Sequence, residues 1–256
     1  MKPILFLLFI ASVTLAQNPS MQKGRQVLMD FRPDRKIADV KIPAATQRNV
    51  LSKMFRHYLP DQDKCNSNFD SSNATDRLGA ARKAGQIAPS ITDMATGSFT
   101  AAGQTQTLYV VSVNECNASH ADNFGTKRVA IFSGQQLVAD VDADFNSGIE
   151  RKTDLNSDGI DELLMTTGDM AQGTLTEMAT LVSFQGGRYQ AIHEFGTVFE
   201  DSCAAAMPSS TSDVAVLYIS DVVPGNMPKL TMDTYRSACR KTKRWRLISS
   251  GKSRGN

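Results

Sequence analysis

The chain has 256 residues, of which 41% are hydrophobic and 21% are charged, and its formal net charge is +2. This is the composition of an ordinary globular protein, with enough apolar residues for one large domain or two small ones. The nearly balanced charge argues against a nucleic acid or another polyanion as the main partner of the whole chain.

The first residues predict an export signal. Lys2 precedes an apolar stretch, Ile4–Leu15, that is too short to span a bilayer as a helix. Thr14 and Ala16 are small residues at the positions that a signal peptidase reads, so cleavage is expected after Ala16. The alternative interpretation of this stretch is a membrane anchor or a buried core helix.

The predicted domain organisation has three parts. Residues 1–16 form the signal peptide, residues 17–43 a flexible arm interrupted by prolines, and residues 44–256 a single exported α+β domain. The mature protein is expected to be secreted or periplasmic, without a transmembrane segment. Its expected partner is an unidentified protein or cell-surface component.

The cysteine content agrees with export. The four cysteines Cys65, Cys116, Cys203 and Cys239 form no CxxC pair, so they indicate neither a redox motif nor a zinc knuckle. An even number of cysteines in an oxidising compartment suggests disulfides. Three pairings are possible, and we favour Cys65 with Cys116 and Cys203 with Cys239, because each pair closes a local loop.

Helical spacing is confined to the first third of the chain. Apolar residues recur at helical intervals from Val50 to Leu59, and Pro60 ends the run, so an amphipathic helix is expected from Ala44. A second, weaker helix is expected over Thr75–Gln86.

After Pro89 the hydrophobic period changes to two, which predicts strands. Turn signals at Ser133-Gly134 and Gly186-Gly187 predict tight connections between neighbouring strands. The predicted strands cover residues 98–101, 107–113, 128–132, 136–145, 162–167, 178–184, 188–195, 213–222, 228–235 and 244–249. The predicted fold class is α+β, a mainly antiparallel β-sheet with an N-terminal amphipathic helix. A partial barrel, a sandwich and a single curved sheet all remain open.

One acidic stretch, TDLNSDGIDELL at Thr153–Leu164, has the spacing of a site for a hard cation. Oxygen-bearing side chains alternate along it, Gly159 permits a sharp bend, and a carboxylate returns three residues later. The predicted metal ligands are Asp154, Asn156, Asp158, the backbone carbonyl of Ile160, and Glu162. A type I′ turn at Asp158-Gly159 would explain those two residues and leave the others unexplained.

The stretch is not an EF-hand, because Met165 stands where that motif needs a bidentate glutamate. It resembles the short calcium loops of FG-GAP and VCBS-type repeats, whose pattern D-x-[DN]-x-D-G-x-x-[DE] precedes a hydrophobic strand. The resemblance spans about residues 140–184 and occurs once, so it implies the metal loop and not a propeller. It also implies Ca2+ as the cofactor, in a structural role.

A neighbouring segment offers further carboxylates. Asp140, Asp142 and Asp144 alternate along a predicted strand and therefore share one face. Asp142 or Asp144 is a candidate to complete the coordination, whereas Asp140 is expected on a solvated face.

Two functions of different class are compatible with the sequence. The preferred one is an exported calcium-binding domain of non-enzymatic type. The alternative is a secreted hydrolase with its site in the polar loop Glu115–Gly125, which contains Cys116, Ser119, His120 and Asp122.

The C-terminal segment is rich in basic residues. Arg236, Arg240, Lys241, Lys243, Arg244 and Arg246 surround Trp245. Such a run can hold an anionic surface or a polysaccharide. The favoured interpretation is a solvated edge strand whose charges prevent further strand pairing.

Overall fold

A computed structural model describes residues 24–33, 40–55, 87–115, 126–143, 148–205, 210–240 and 242–252. These residues form one α-helix, α1 (Ala44–Met54), and twelve strands. The strands are β1 (Gln26–Asp30), β2 (Ile87–Gly97), β3 (Gln106–Glu115), β4 (Thr126–Ser133), β5 (Gln136–Asp142), β6 (Gly148–Thr153), β7 (Glu162–Ala171), β8 (Thr174–Ser183), β9 (Gln190–Asp201), β10 (Thr211–Ser220), β11 (Lys229–Ala238) and β12 (Arg246–Lys252).

The strands form two antiparallel sheets. Strands β2 to β5 make a four-stranded meander, in which each strand pairs with the next along the chain. Strands β6 to β12 lie in sequence order in an eight-stranded sheet, which curls into a half-barrel. Its eighth strand, β1, pairs with the C-terminal half of β10, whereas β9 pairs with residues 212–214 at the other end of that strand.

The core has three apolar clusters arranged in layers. The first contains residues of β1 and β7 to β11 and lies within the curl of the large sheet. The second lies between the two sheets, and the third lies between the small sheet and α1. In β7, Leu164 belongs to the first cluster, and Leu163 and Met165 belong to the second. The central strands are therefore buried on both faces, which explains their almost continuous apolar sequences.

The prediction of an α+β fold is wrong, because the described chain is mostly antiparallel β-sheet. The predicted amphipathic helix is reduced to the eleven residues of α1, in which only Val50 and Leu51 are buried. Phe55 is also buried, but it lies beyond the last helical turn, in extended conformation. A helix with so few buried side chains covers part of one sheet and does not build a layer of its own.

The predicted strands from Arg128 onward correspond to β4, β5 and β7 to β12. The turns at Gly134 and Gly186-Gly187 are confirmed, and all three glycines have positive φ angles. Residues 98–101 lie in the loop that joins β2 to β3 instead of forming a strand, and β2 and β6 had no counterpart among the predicted strands.

Part of the segment expected to be a flexible arm belongs to the fold. Residues 26–30 form β1, and Leu28 and Phe31 are each only 1% exposed in the first core cluster. The N–H of Phe31 also donates to the carbonyl oxygen of Ala215 in β10, at 3.0 Å. Pairing with β10 orders this segment, whose own sequence has no clear strand periodicity.

The predicted disulfide between Cys203 and Cys239 is present, with Cα atoms 5.4 Å apart. The predicted pairing of Cys65 with Cys116 lies outside the described residues, as do the signal peptide and the helix predicted over 75–86. Within the residues that the structure describes, no helix has the length and hydropathy needed to cross a bilayer.

Candidate metal centre

The acidic loop connects β6 to β7 and lies where segments from both sheets meet. Asp154 follows the last residue of β6, and Glu162 is the first residue of β7. Leu155 and Ile160 turn inward and are buried, at 5% and 6% exposure, whereas Asp154 and Asp158 are exposed. The alternation of apolar and acidic residues therefore anchors the loop on one side and leaves its carboxylates on the other.

Hydrogen bonds fold the loop around its own acidic side chains. The N–H of Asp158 donates to Asp154 Oδ1 and to Asn156 Oδ1, both at 3.1 Å. Asp154 Oδ2 accepts from the N–H of Gly159 at 2.9 Å, and Asp158 Oδ1 accepts from the N–H of Ile160 at 2.8 Å. The bend needs Gly159, whose φ of +82° is a conformation that side chains disfavour.

Glu162 is the buried member of the group. It is 2% exposed, and its Oε2 accepts a hydrogen bond from the N–H of Leu155 at 2.8 Å. The pKa of Glu162 is raised to about 7, first by burial and then by the negative charges of Asp158 and Asp154, against the lowering effect of the Leu155 hydrogen bond. Asp154 and Asp158 are therefore close enough to Glu162 for their charges to disfavour its ionised form.

Contacts with two other segments hold the loop from outside. Asp161 is bound to Ser98 in both directions, with Ser98 N–H donating to Asp161 Oδ2 at 2.8 Å and Asp161 N–H donating to the Ser98 carbonyl at 2.7 Å. A Cβ added at Gly159 would lie 3.0 Å from the Cβ of Ala102, so the loop packs closely against the β2–β3 connection. The N–H of Gly225, between β10 and β11, donates to the carbonyl oxygen of Asn156.

The three carboxylates lack a basic partner in the part of the chain that the structure describes. The nearest ion pair along the sequence, Lys152 with Asp161 at 3.6 Å, does not include Asp154, Asp158 or Glu162. A buried carboxylate without a cation is costly, and two further carboxylates beside it increase that cost. A bound cation is the simplest group to offset this charge.

The spacing of the oxygens bears on how such an ion would bind. Among the described residues, one group of three potential ligands has all its ligand atoms within 4.8 Å of one another, and it consists of Asp201, Cys203 and Cys239. The two sulfurs of that group are joined in a disulfide, so they are not thiolate ligands. The loop carboxylates are spaced more widely, and a calcium ion with ligands at roughly 2.3–2.6 Å would draw them together.

The remaining sequence-predicted groups are placed as follows. Asp140 pairs with Arg128, with Nε and Oδ1 2.7 Å apart, in the four-stranded sheet. Asp142 ends β5 in that sheet, whereas the acidic loop belongs to the other sheet. Asp144 lies outside the described residues, as do residues 116–125 of the candidate hydrolase loop. Sequence reasoning did not find that Asp161 contacts Ser98, a residue 63 positions away.

Comparisons of the chain with known protein families, with characterised proteins and with solved structures gave no significant match. The fold and the loop geometry therefore supply the argument about function.

Proposed function

We propose that this protein is an exported, non-enzymatic domain that binds one Ca2+ ion in the β6–β7 loop. One observation carries the proposal: three carboxylates, one of them 2% exposed, lie together without a basic partner among the described residues. The proposed ligands are the side-chain oxygens of Asp154, Asn156, Asp158 and Glu162, with the backbone carbonyl of Ile160.

The chemistry of this donor set favours calcium. Carboxylates, an amide oxygen and a backbone carbonyl are hard oxygen ligands, and calcium accepts six to eight of them in flexible geometry. Magnesium demands near-ideal octahedral geometry and gives up its water reluctantly. The loop has no described histidine or thiolate, which softer metals would favour.

The position of the loop indicates what the ion would do. The loop contacts the β2–β3 connection through Ser98 and Ala102, and the β10–β11 connection through Gly225. An ion that draws the loop together would therefore fix three chain segments from both sheets relative to one another. This role is structural, since protein oxygens would occupy most of the coordination positions.

The proposed export is supported by the disulfide. The disulfide between Cys203 and Cys239 is the kind of cross-link that persists in oxidising compartments. An affinity on the order of 10⁻⁴–10⁻³ M, as in extracellular modules, would suit an environment rich in calcium. The proposed location is therefore secreted or periplasmic, and the proposed partner is a protein or a cell-surface component.

The test is thermal unfolding of the full chain in EDTA and in millimolar CaCl₂. At the affinity given above, calcium should add about 1 kcal/mol of stability, which raises the Tm by roughly 2–4 °C for a chain of this size. The double variant Asp154→Asn, Asp158→Asn removes two carboxylates and should lose this response.

The matched control is Asp169→Asn, because Asp169 is an exposed carboxylate in β7 away from the loop. This variant should respond to calcium as the unmodified protein does. A Tm that does not move in calcium, or an equal loss of response in the control, would reject the calcium site. Magnesium at the same concentration should give a smaller shift.

A further inference from the structure

A basic cavity lies at the β11–β12 end of the large sheet, away from the acidic loop. It has a volume of about 370 Å³, and Arg236, Arg240, Arg244 and Arg246 contribute to its walls. Strands β11 and β12 are antiparallel neighbours, and Arg236 and Arg246 lie directly opposite each other in their pairing. Like charges at directly opposed positions of neighbouring strands repel each other and destabilise a sheet.

Most of these positive charges have no acidic partner among the residues that the structure describes. Arg236 donates to both carboxylate oxygens of Asp213, at 2.8 and 2.6 Å, so one arginine is satisfied within the protein. Glu200 on β9 also acts on Arg236 through its charge. In contrast, the guanidinium groups of Arg240, Arg244 and Arg246 have no hydrogen bond or ion pair to any described residue, and all three side chains are exposed.

The turn between β11 and β12 is held in place from several sides. The disulfide between Cys203 and Cys239 fixes its start. Lys243 Nζ donates to Asp201 Oδ2 at 2.8 Å and to Ser212 Oγ at 3.0 Å, so the one lysine described in this turn is committed to structural contacts. The N–H of Arg244 donates to Ser237 Oγ at 2.9 Å. Three arginines that have no partner among the described residues therefore project from a backbone that is anchored on both sides.

We infer that this cavity binds the phosphate or sulfate group of a small organic anion. A guanidinium presents a planar fork of donors that matches the oxygens of phosphate and sulfate, and each such pair is a charge-assisted hydrogen bond. Three guanidinium groups without a described partner match a group with several anionic oxygens better than they match a single carboxylate. The volume is within the usual range for small-molecule sites, so it has room for an organic moiety attached to the anion.

The surroundings favour a small ligand over an extended polyanion. Single-stranded nucleic acids need exposed aromatic platforms for stacking, whereas Trp245, beside the cavity, packs against the first core cluster. The net charge of +2 also gives the chain little long-range attraction for a nucleic acid or an anionic membrane. The arginines instead line a concave site with room for one group.

The test is isothermal titration of the full chain with phenyl phosphate, phenyl sulfate and inorganic phosphate, in EDTA so that calcium plays no part. We expect the phenyl esters to bind with a Kd of about 1 mM or tighter, and inorganic phosphate to bind more weakly. The double variant Arg244→Gln, Arg246→Gln should weaken ester binding about tenfold or more, which equals about 1.4 kcal/mol. Arg244→Lys, Arg246→Lys keeps the charge and should restore only part of the affinity, because an ammonium cannot form the bidentate pair.

The charge-matched control is Arg48→Gln, Arg188→Gln, which removes two exposed arginines outside the cavity. Its ester binding should stay within about twofold of that of the unmodified chain. Equal loss in this control would show a general charge effect and overturn the inference. The absence of ester binding up to about 10 mM would also overturn the inference. So would parallel titrations in which the chain bound anionic vesicles or DNA but neither ester. If the double variant does not fold, as judged by its Tm, the single variant Arg240→Gln provides the same comparison.

Discussion

Asp161 and Ser98 form a two-way hydrogen-bonded pair, with the Ser98 N–H donating to Asp161 Oδ2 at 2.8 Å and the Asp161 N–H donating to the Ser98 carbonyl at 2.7 Å. Ser98 follows the last residue of β2 in the small sheet, and Asp161 precedes β7 in the large one. The pair therefore joins the two sheets at the acidic loop. Lys152, whose Nζ lies 3.6 Å from Asp161 Oδ2, adds an ion pair at the same point.

Gly97 allows this close approach, and its replacement by alanine should disturb it. A Cβ at position 97 would overlap Asp161 Oδ2 and lie 3.0 Å from Lys152 Cδ. We expect Gly97→Ala to lower the free energy of unfolding by about 1–3 kcal/mol, the usual cost of overpacking. Urea denaturation measures this change.

Gly168→Ala, in β7, is the matched control, because the nearest atoms to an added Cβ there belong to Thr176 and Glu177 of β8 and are 3.8 Å away. It should change stability by less than about 1 kcal/mol in either direction. If Gly97→Ala were as stable as this control, the close contact between Gly97 and Asp161 would be refuted.

Glu162→Gln should stabilise the protein more in the absence of calcium than in its presence. In EDTA at about pH 8, above its pKa of about 7, Glu162 is buried as an anion beside two other carboxylates. The neutral amide has a similar shape and still offers an oxygen to the Leu155 N–H, so the variant should be more stable than the unmodified protein by about 1–3 kcal/mol. In calcium this advantage should shrink, because the variant loses one charged ligand.

The sign of the pH dependence follows from the raised pKa. In the metal-free protein, folded Glu162 holds its proton up to about pH 7, whereas the unfolded chain releases it near the ordinary value of 4.5. The contribution of Glu162 to stability therefore falls as pH rises from about 4.5 to 7 and is constant above that window. The difference in unfolding free energy between Glu162→Gln and the unmodified protein should grow across the same interval. A difference that does not depend on pH would contradict the burial of this carboxylate.

Asp233 should show the opposite pH dependence. Burial by itself raises the pKa of Asp233, but hydrogen bonds from Arg25, Ser250 and the Gly251 N–H outweigh it, and the pKa lies below its ordinary value of 3.8. Asp233 binds Arg25 at 2.9 and 3.1 Å and so ties the segment before β1 to β11 and β12. Its stabilisation is present above about pH 4 and is lost as pH falls through the lowered pKa.

We therefore expect Asp233→Asn to destabilise the protein by about 1–3 kcal/mol at neutral pH, because Arg25 loses its ionic partner while staying half exposed. Urea denaturation from about pH 7 down to 2 should show the difference between variant and unmodified protein shrinking at the acid end. Asp221→Asn, at an exposed turn, is the control and should show little difference at any pH. A constant deficit of Asp233→Asn across the range would argue against a lowered pKa.

Local features of this fold could be inferred from the residues that form them. The turns at Gly134 and Gly186-Gly187 depend on glycine's access to positive φ, so neighbouring residues suffice to predict them. The runs that became β3, β4, β7 and β10 are rich in β-branched and apolar residues, which favour strands in most contexts. The spacing of the proposed ligands Asp154, Asn156 and Asp158 is likewise set by neighbouring residues in one short segment.

The length of the N-terminal helix was overestimated because its prediction relied on local periodicity alone. Helical spacing of apolar residues continued in the sequence to Leu59, yet α1 ends at Met54, and Phe55 is already extended. Periodicity reports which residues favour one face of a helix, but not whether a surface exists for that face to cover. Among the described residues of this region, the third core cluster buries Val50, Leu51 and Phe55, and Met54 packs against it partly buried.

The residue pattern was thus enough to predict antiparallel strands and to favour the Cys203–Cys239 bridge, but it overstated the helical part and gave the wrong fold class. Only the folded chain shows that Gln26–Asp30 completes the large sheet, that Asp161 meets Ser98, and that Arg246 lies opposite Arg236. These relationships join residues far apart in the chain, and their energies depend on which strands become neighbours. Local strand propensity does not predict which strands become neighbours, because burial and charge pairing exist only after the strands have assembled.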